Sequence, residues 1–65
     1  MRILVNGAWR ETRGTELAAV LEELGYGEGV VTTAVNGEFV SAAVRTRTAL
    51  AEGDRLEVLA PMQGG

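Results

Sequence analysis

The 65-residue sequence predicts an α+β fold in which one main helix packs on one face of a small mixed sheet. Three observations predict it. Asn-Gly dipeptides at Asn6-Gly7 and Asn36-Gly37 each stand between short runs rich in apolar and β-branched residues; this pair suits a two-residue hairpin because it tolerates positive φ at both central positions. A single stretch spaces its apolar residues for a helix, with Leu17, Val20, Leu21 and Leu24 at i, i+3, i+4 and i+7. A last β-rich run, Arg55 to Ala60, follows the turn Glu52-Gly53-Asp54.

Arg2 to Val5 reads as the first strand, Asn6-Gly7 as its turn and Ala8 to Thr12 as the return. Trp9, the only Trp, lies just past this turn and reads as a packing residue over one edge of the sheet. Thr15 is placed to cap the helix through its hydroxyl. The stripe from Leu17 to Leu24 faces inward while Glu22 and Glu23 point away. Burying four such side chains at roughly 1.5 to 3 kcal/mol each is a large share of what a small domain can muster, so they read as core. Gly25 ends the helix by adopting the left-handed conformation.

Val30 to Val35 reads as a strand and Glu38 to Ser41 as its hairpin partner. Residues 42 to 51 show no clear period. The final strand is stopped by Pro61, which cannot donate to a ladder. If that strand inserts beside the first, the order hairpin, helix, hairpin, crossover, strand gives the β-grasp architecture: one domain over residues 1–65, with 61–65 a flexible Gly-Gly tail. Ile3, Val5, Leu56 and Val58 then face the helix. Leu4 and Leu59 point to the open face, where two neighbouring leucines make a small apolar patch that reads equally as a site for a protein partner and as ordinary surface leucines.

Composition excludes several function classes. A chain this short buries only about 60% of its unfolded surface, which leaves no room for an enclosed cleft. Without Cys, His or Lys it has no thiol, imidazole or side-chain amine for nucleophilic or general-base chemistry near neutral pH. The same lack, with carboxylates scattered rather than clustered, argues against a metal site or a cofactor held by this chain. The net charge is −3, from nine acids and six arginines, and the acidity sits in the first half. From Gly14 to Glu38 there are five glutamates and no basic residue, which argues against nucleic acid; they read first as solvated carboxylates that keep a small domain soluble, and otherwise as a surface that attracts a basic protein partner. No run approaches the ~20 apolar residues that span a bilayer, and the expected location is cytoplasmic.

The group with an obvious chemical use is the terminal carboxylate of Gly65, carried on Pro61-Met62-Gln63-Gly64. Two glycines without Cβ atoms make a tail thin enough to thread into another protein's site. A carboxylate must first be activated; attack on the α-phosphate of ATP yields an acyl-adenylate whose nucleotide is a good leaving group. The chain has no glycine-rich phosphate loop, so a partner must bind the ATP, and the protein is then a substrate rather than an enzyme. Ordering residues 61–65 takes roughly 5 to 10 kcal/mol, which contacts elsewhere must offset.

The segments Ile3-Leu4-Val5-Asn6-Gly7, Leu17 to Leu24, Val35-Asn36-Gly37-Glu38, Leu50 to Val58 and Gly64-Gly65 together resemble the ThiS family, the sulfur carriers of thiamine biosynthesis with a ubiquitin-like β-grasp fold. The likeness covers essentially the whole chain; residues 42–47 fit it least, in a region where members often carry Pro or Trp. The resemblance implies that an E1-like adenylyltransferase activates Gly65 with ATP. Sulfur drawn from cysteine, by a donor such as a cysteine desulfurase, then makes a thiocarboxylate that thiazole synthase consumes. Gly64 would keep the tail thin, and Pro61, Met62 and Gln63 would bridge the domain to those active sites. The same end also suits a carrier for another pathway, such as the small subunit of molybdopterin synthase or tRNA thiolation, and a protein modifier. A non-covalent β-grasp binding module is the reading in which the tail is incidental.

Overall fold

The computed structural model describes residues 1–27 and 29–61. Among these, β1 (Arg2–Val5) and β2 (Ala8–Glu11) form the first hairpin, α1 (Leu17–Glu23) follows, and β3 (Thr32–Val35) and β4 (Glu38–Val40) form the second. A 3₁₀ helix over Ala42–Arg47 occupies the crossover to the last strand, β5 (Arg55–Leu59). The sheet order is β2-β1-β5-β3-β4. β5 runs parallel to β1 and antiparallel to β3, so the last strand does insert beside the first and the β-grasp arrangement forms.

Both hairpins turn as their dipeptides require: φ is 49° and 85° at Asn6 and Gly7, and 50° and 85° at Asn36 and Gly37. Positive φ at both central residues matches the right-handed twist of the flanking strands. Alternation along the strands then sorts the side chains. Ile3, Val5, Leu56 and Val58 are buried against Leu17, Val20 and Leu21 of the helix, while Leu24 packs half-buried at the edge of the same core.

The helix ends as expected. Gly25 takes φ 94°, its N–H donates to the Glu22 carbonyl at 3.1 Å, and the Tyr26 N–H donates to the Leu21 carbonyl at 2.8 Å. These are the paired bonds of a Schellman closure.

The helix start differs from the Thr15 cap that the sequence suggests. The capping position is Glu16, and no side chain caps it. The Leu17 N–H donates to the Thr48 carbonyl and the Leu50 N–H to the Thr15 carbonyl, both at 2.8 Å, with Glu16 bridged to Ala49. A strand-like segment at the end of the crossover thus satisfies the first turn and carries Leu50 into the core. Arg45 anchors that crossover: its guanidinium donates to the Val31 carbonyl and to the hydroxyl of buried Thr33. It is therefore a tie within the fold.

Glu23 fastens the approach to the helix. Its carboxylate accepts the Gly14 N–H at 2.7 Å and the Arg13 N–H at 2.8 Å, and these two bonds, Gly14 first, hold its pKa below the ordinary 4.5. The close approach favours a glycine, since a Cβ at position 14 would stand 3.0 Å from that of Ala19, tighter than an ordinary contact. Among the described residues, no helix is long and apolar enough to cross a membrane, and no group of three or more acids is placed to hold a metal ion.

Candidate functional site

With the helix on one side of the sheet, the other face is open, and it carries the residues singled out for partner contact. Leu4 is half-buried and Leu59 is 67% exposed. They share this face on adjacent strands, yet they are not opposite one another. Leu4 pairs with Arg55, four positions before Leu59, whose own partner is Thr32 of β3. What joins them is a shallow groove between the first hairpin and β5, lined by Leu4, Asn6, Gly7, Arg55, Glu57 and Leu59.

Register extends the apolar surface beyond the two leucines. Trp9 stands opposite Leu4, so it lies on the open face of β2, the strand at that edge of the sheet. It is half-exposed, with the Arg2 guanidinium 4.5 Å from its ring centroid, a cation–π distance. Phe39, opposite Ala34 on β4, is 70% exposed on the same face. Sequence reasoning had passed over Phe39. The signal was present in the period of two: Phe39 alternates with Val40, whose partner is the buried Thr33, so it falls on the open face once the second hairpin is registered.

The acidic run lies mostly elsewhere. Glu22 and Glu23 project from the helix, on the far side of the sheet from the groove, and Glu23 is engaged with the Arg13 and Gly14 amides. The open face itself carries mixed charge, with Arg2 and Arg55 beside Glu11 and Glu57.

β5 delivers the chain from this face to Pro61, which is exposed. Met62, Gln63, Gly64 and Gly65, the rest of the expected tail, lie outside the described residues. The root of the tail is held from both sides. Leu59 is paired with Thr32, and Val58 is bonded through both backbone polar groups to the Asn6 side chain, at 2.9 and 3.0 Å. The arrangement is chemically passive in itself: an apolar face, a groove, and a strand that leads to an exposed Pro61.

Comparison with known proteins gives a consistent answer. A model of the ThiS family matches residues 3–65. A crystal structure of the thiamine biosynthesis protein ThiS from Geobacter metallireducens is 29% identical over 100% of both chains and superposes with a TM-score of 0.83. The solution NMR structure of a thiamine biosynthesis protein from the same organism gives a TM-score of 0.79 at 29% identity, covering 100% of this chain and 88% of that one. No curated protein matches the sequence.

Proposed function

The chain belongs to the ThiS family, and from that premise we propose that it is a sulfur carrier protein of thiamine biosynthesis whose reacting group is the Gly65 carboxylate. An E1-like adenylyltransferase supplies the ATP site. A carboxylate oxygen attacks the α-phosphorus, pyrophosphate leaves, and the acyl-adenylate forms. A persulfide nucleophile, fed by a donor such as a cysteine desulfurase, displaces AMP at the acyl carbon; a thiol then cleaves the acyl disulfide by exchange, leaving as its own disulfide, and the thiocarboxylate so released passes its sulfur to thiazole synthase. The carrier acts in the cytoplasm as a co-substrate, not as an enzyme.

The observation that carries this reading is the family match itself, which runs through to residue 65 on a fold whose last strand leads directly into that segment. The residue inventory supports it. A chain with no Cys, His or Lys has no side-chain thiol or amine of its own to intercept an activated acyl group. Leu4 and Leu59, with Trp9 and Phe39 around them, are the surface by which the carrier docks. Burial of that face offsets the cost of ordering Pro61, Met62, Gln63 and the two glycines in the partner's site.

Two variants separate the roles of face and tail. Deleting Gly65 is expected to abolish pyrophosphate release by the activating enzyme while leaving thermal stability and binding to that enzyme nearly unchanged. Replacing Leu4 and Leu59 together by Ser is expected to weaken binding with the tail intact. Sulfur transfer that persists in the truncated chain would contradict the carrier reading, and unaltered binding of the double variant would remove the leucines from the interface.

A further inference from the structure

β1 ends at Val5, yet β5 is held on its β1 side beyond that point. Asn6 and Gly7 take positive φ and turn the backbone away from β5. Where the backbone leaves, the Asn6 side chain takes over: Nδ2 donates to the Val58 carbonyl at 3.0 Å, and Oδ1 accepts the Val58 N–H at 2.9 Å. A carboxamide offers the same donor and acceptor as a peptide group. It therefore continues the parallel ladder past the backbone rung from the Asn6 N–H to the Leu56 carbonyl, at 2.9 Å.

Few residues meet both demands. Gly accepts the backbone angle but has no amide, and Asp would present oxygen to the Val58 carbonyl. Ala would carry neither the amide nor the local hydrogen bonding that lets Asn occupy this region. Asn is thus selected twice at position 6, once by the turn and once by β5.

Resting on the carrier reading, we propose that Asn6 is a positioning residue for the C-terminal segment. Its carboxamide fixes the end of β5 to the first hairpin, so the root of that segment, up to Pro61, is held in place at the open face. Residues 61–65 span at most about 17 Å when extended, so a root free to swing would spread Gly65 over a wide volume. A fixed root confines it and lowers the ordering cost on entering the partner's site.

The second hairpin supplies the control. Asn36 makes the same turn, with φ 50°, and its side chain also makes two bonds to the β5 region: Oδ1 accepts the Arg55 N–H at 2.9 Å and Nδ2 donates to the Asp54 carboxylate at 3.0 Å. Those bonds sit at the entry to β5, the end remote from Pro61. Asn6→Gly and Asn36→Gly each keep the turn and each remove two side-chain hydrogen bonds, so comparable losses of thermal stability are expected.

The test compares the two variants by amide hydrogen exchange at Val58, Leu59 and Ala60, and by pyrophosphate exchange with the activating enzyme at saturating ATP. For Asn6→Gly, exchange at residues 58–60 is expected to rise about tenfold beyond any change common to the sheet, and kcat/KM for the carrier to fall about tenfold. Asn36→Gly should leave both within about twofold, and Asn6→Asp, which lacks the donor, should behave like Asn6→Gly. Equal losses of activation in the two Gly variants would overturn the proposal by making the effect one of stability alone. A loss of activation by Asn6→Gly without faster exchange would make Asn6 a direct partner contact, which also overturns it. If wild-type protein supports no pyrophosphate exchange, the carrier reading fails, and the hydrogen-exchange comparison still decides whether Asn6 holds the end of β5.

Discussion

Glu23 holds the segment before the helix with one carboxylate shared between the Arg13 and Gly14 amides. Because these bonds favour the ionised form, its folded pKa lies below the ordinary 4.5, and the unfolded chain takes up the proton first as the pH falls. Its contribution to stability is therefore complete above the ordinary value and is lost as the pH drops through the lowered one. Glu23→Gln is expected to melt at a lower temperature than wild type at pH 7, with the gap closing in acid; melting curves collected from pH 7 down to about 3 check this. A gap independent of pH would show that the charge is not what fastens the loop. Neither this role nor that of Asn6 was legible in the sequence. Glu23 read as a solvated face of the helix and Asn6 as a turn former, and the turn half of that reading holds. The missing half lies in partners 10 and 52 positions away, set by how the elements pack.

At the scale of elements, the strands, both hairpins, the helical stripe and its glycine stop were readable because each rests on a short-range rule: periodicity, positive φ, or the left-handed closure. The crossover was not. Its 3₁₀ segment over Ala42–Arg47 buries none of its residues, so it leaves no apolar period to read. The same segment explains why the Thr15 cap was misplaced, since the first turn of α1 is completed by Thr48 and Leu50 from the far end of the crossover. This gives an expected asymmetry. Thr15→Ala should change stability by less than about 0.5 kcal/mol, as for an ordinary surface change. Leu50→Ala, which empties a core position, should cost about 2 to 5 kcal/mol. Urea denaturation of both variants measures the difference, and a larger loss at Thr15 would contradict the helix start described above.

The whole molecule divides its tasks between two faces. The helix side carries the core, and the open side carries Leu4, Trp9, Phe39 and Leu59 beside the root of the C-terminal segment. The apolar pair on that side was legible from strand alternation; its extension by Trp9 and Phe39, and the groove between the leucines, required the register between strands. The tail's chemistry was argued from residue types, since Met62 to Gly65 lie outside the described residues. That chemistry is the central claim, and intact mass spectrometry tests it most directly. The full chain is incubated with ATP, the activating enzyme and a sulfur donor. The expected result is a single product in which one oxygen of the C-terminal carboxylate is replaced by sulfur, absent when Gly65 is deleted. A chain that remains at its original mass while the enzyme is shown to be active on another carrier, or one that appears only as adducts on other proteins, would contradict it.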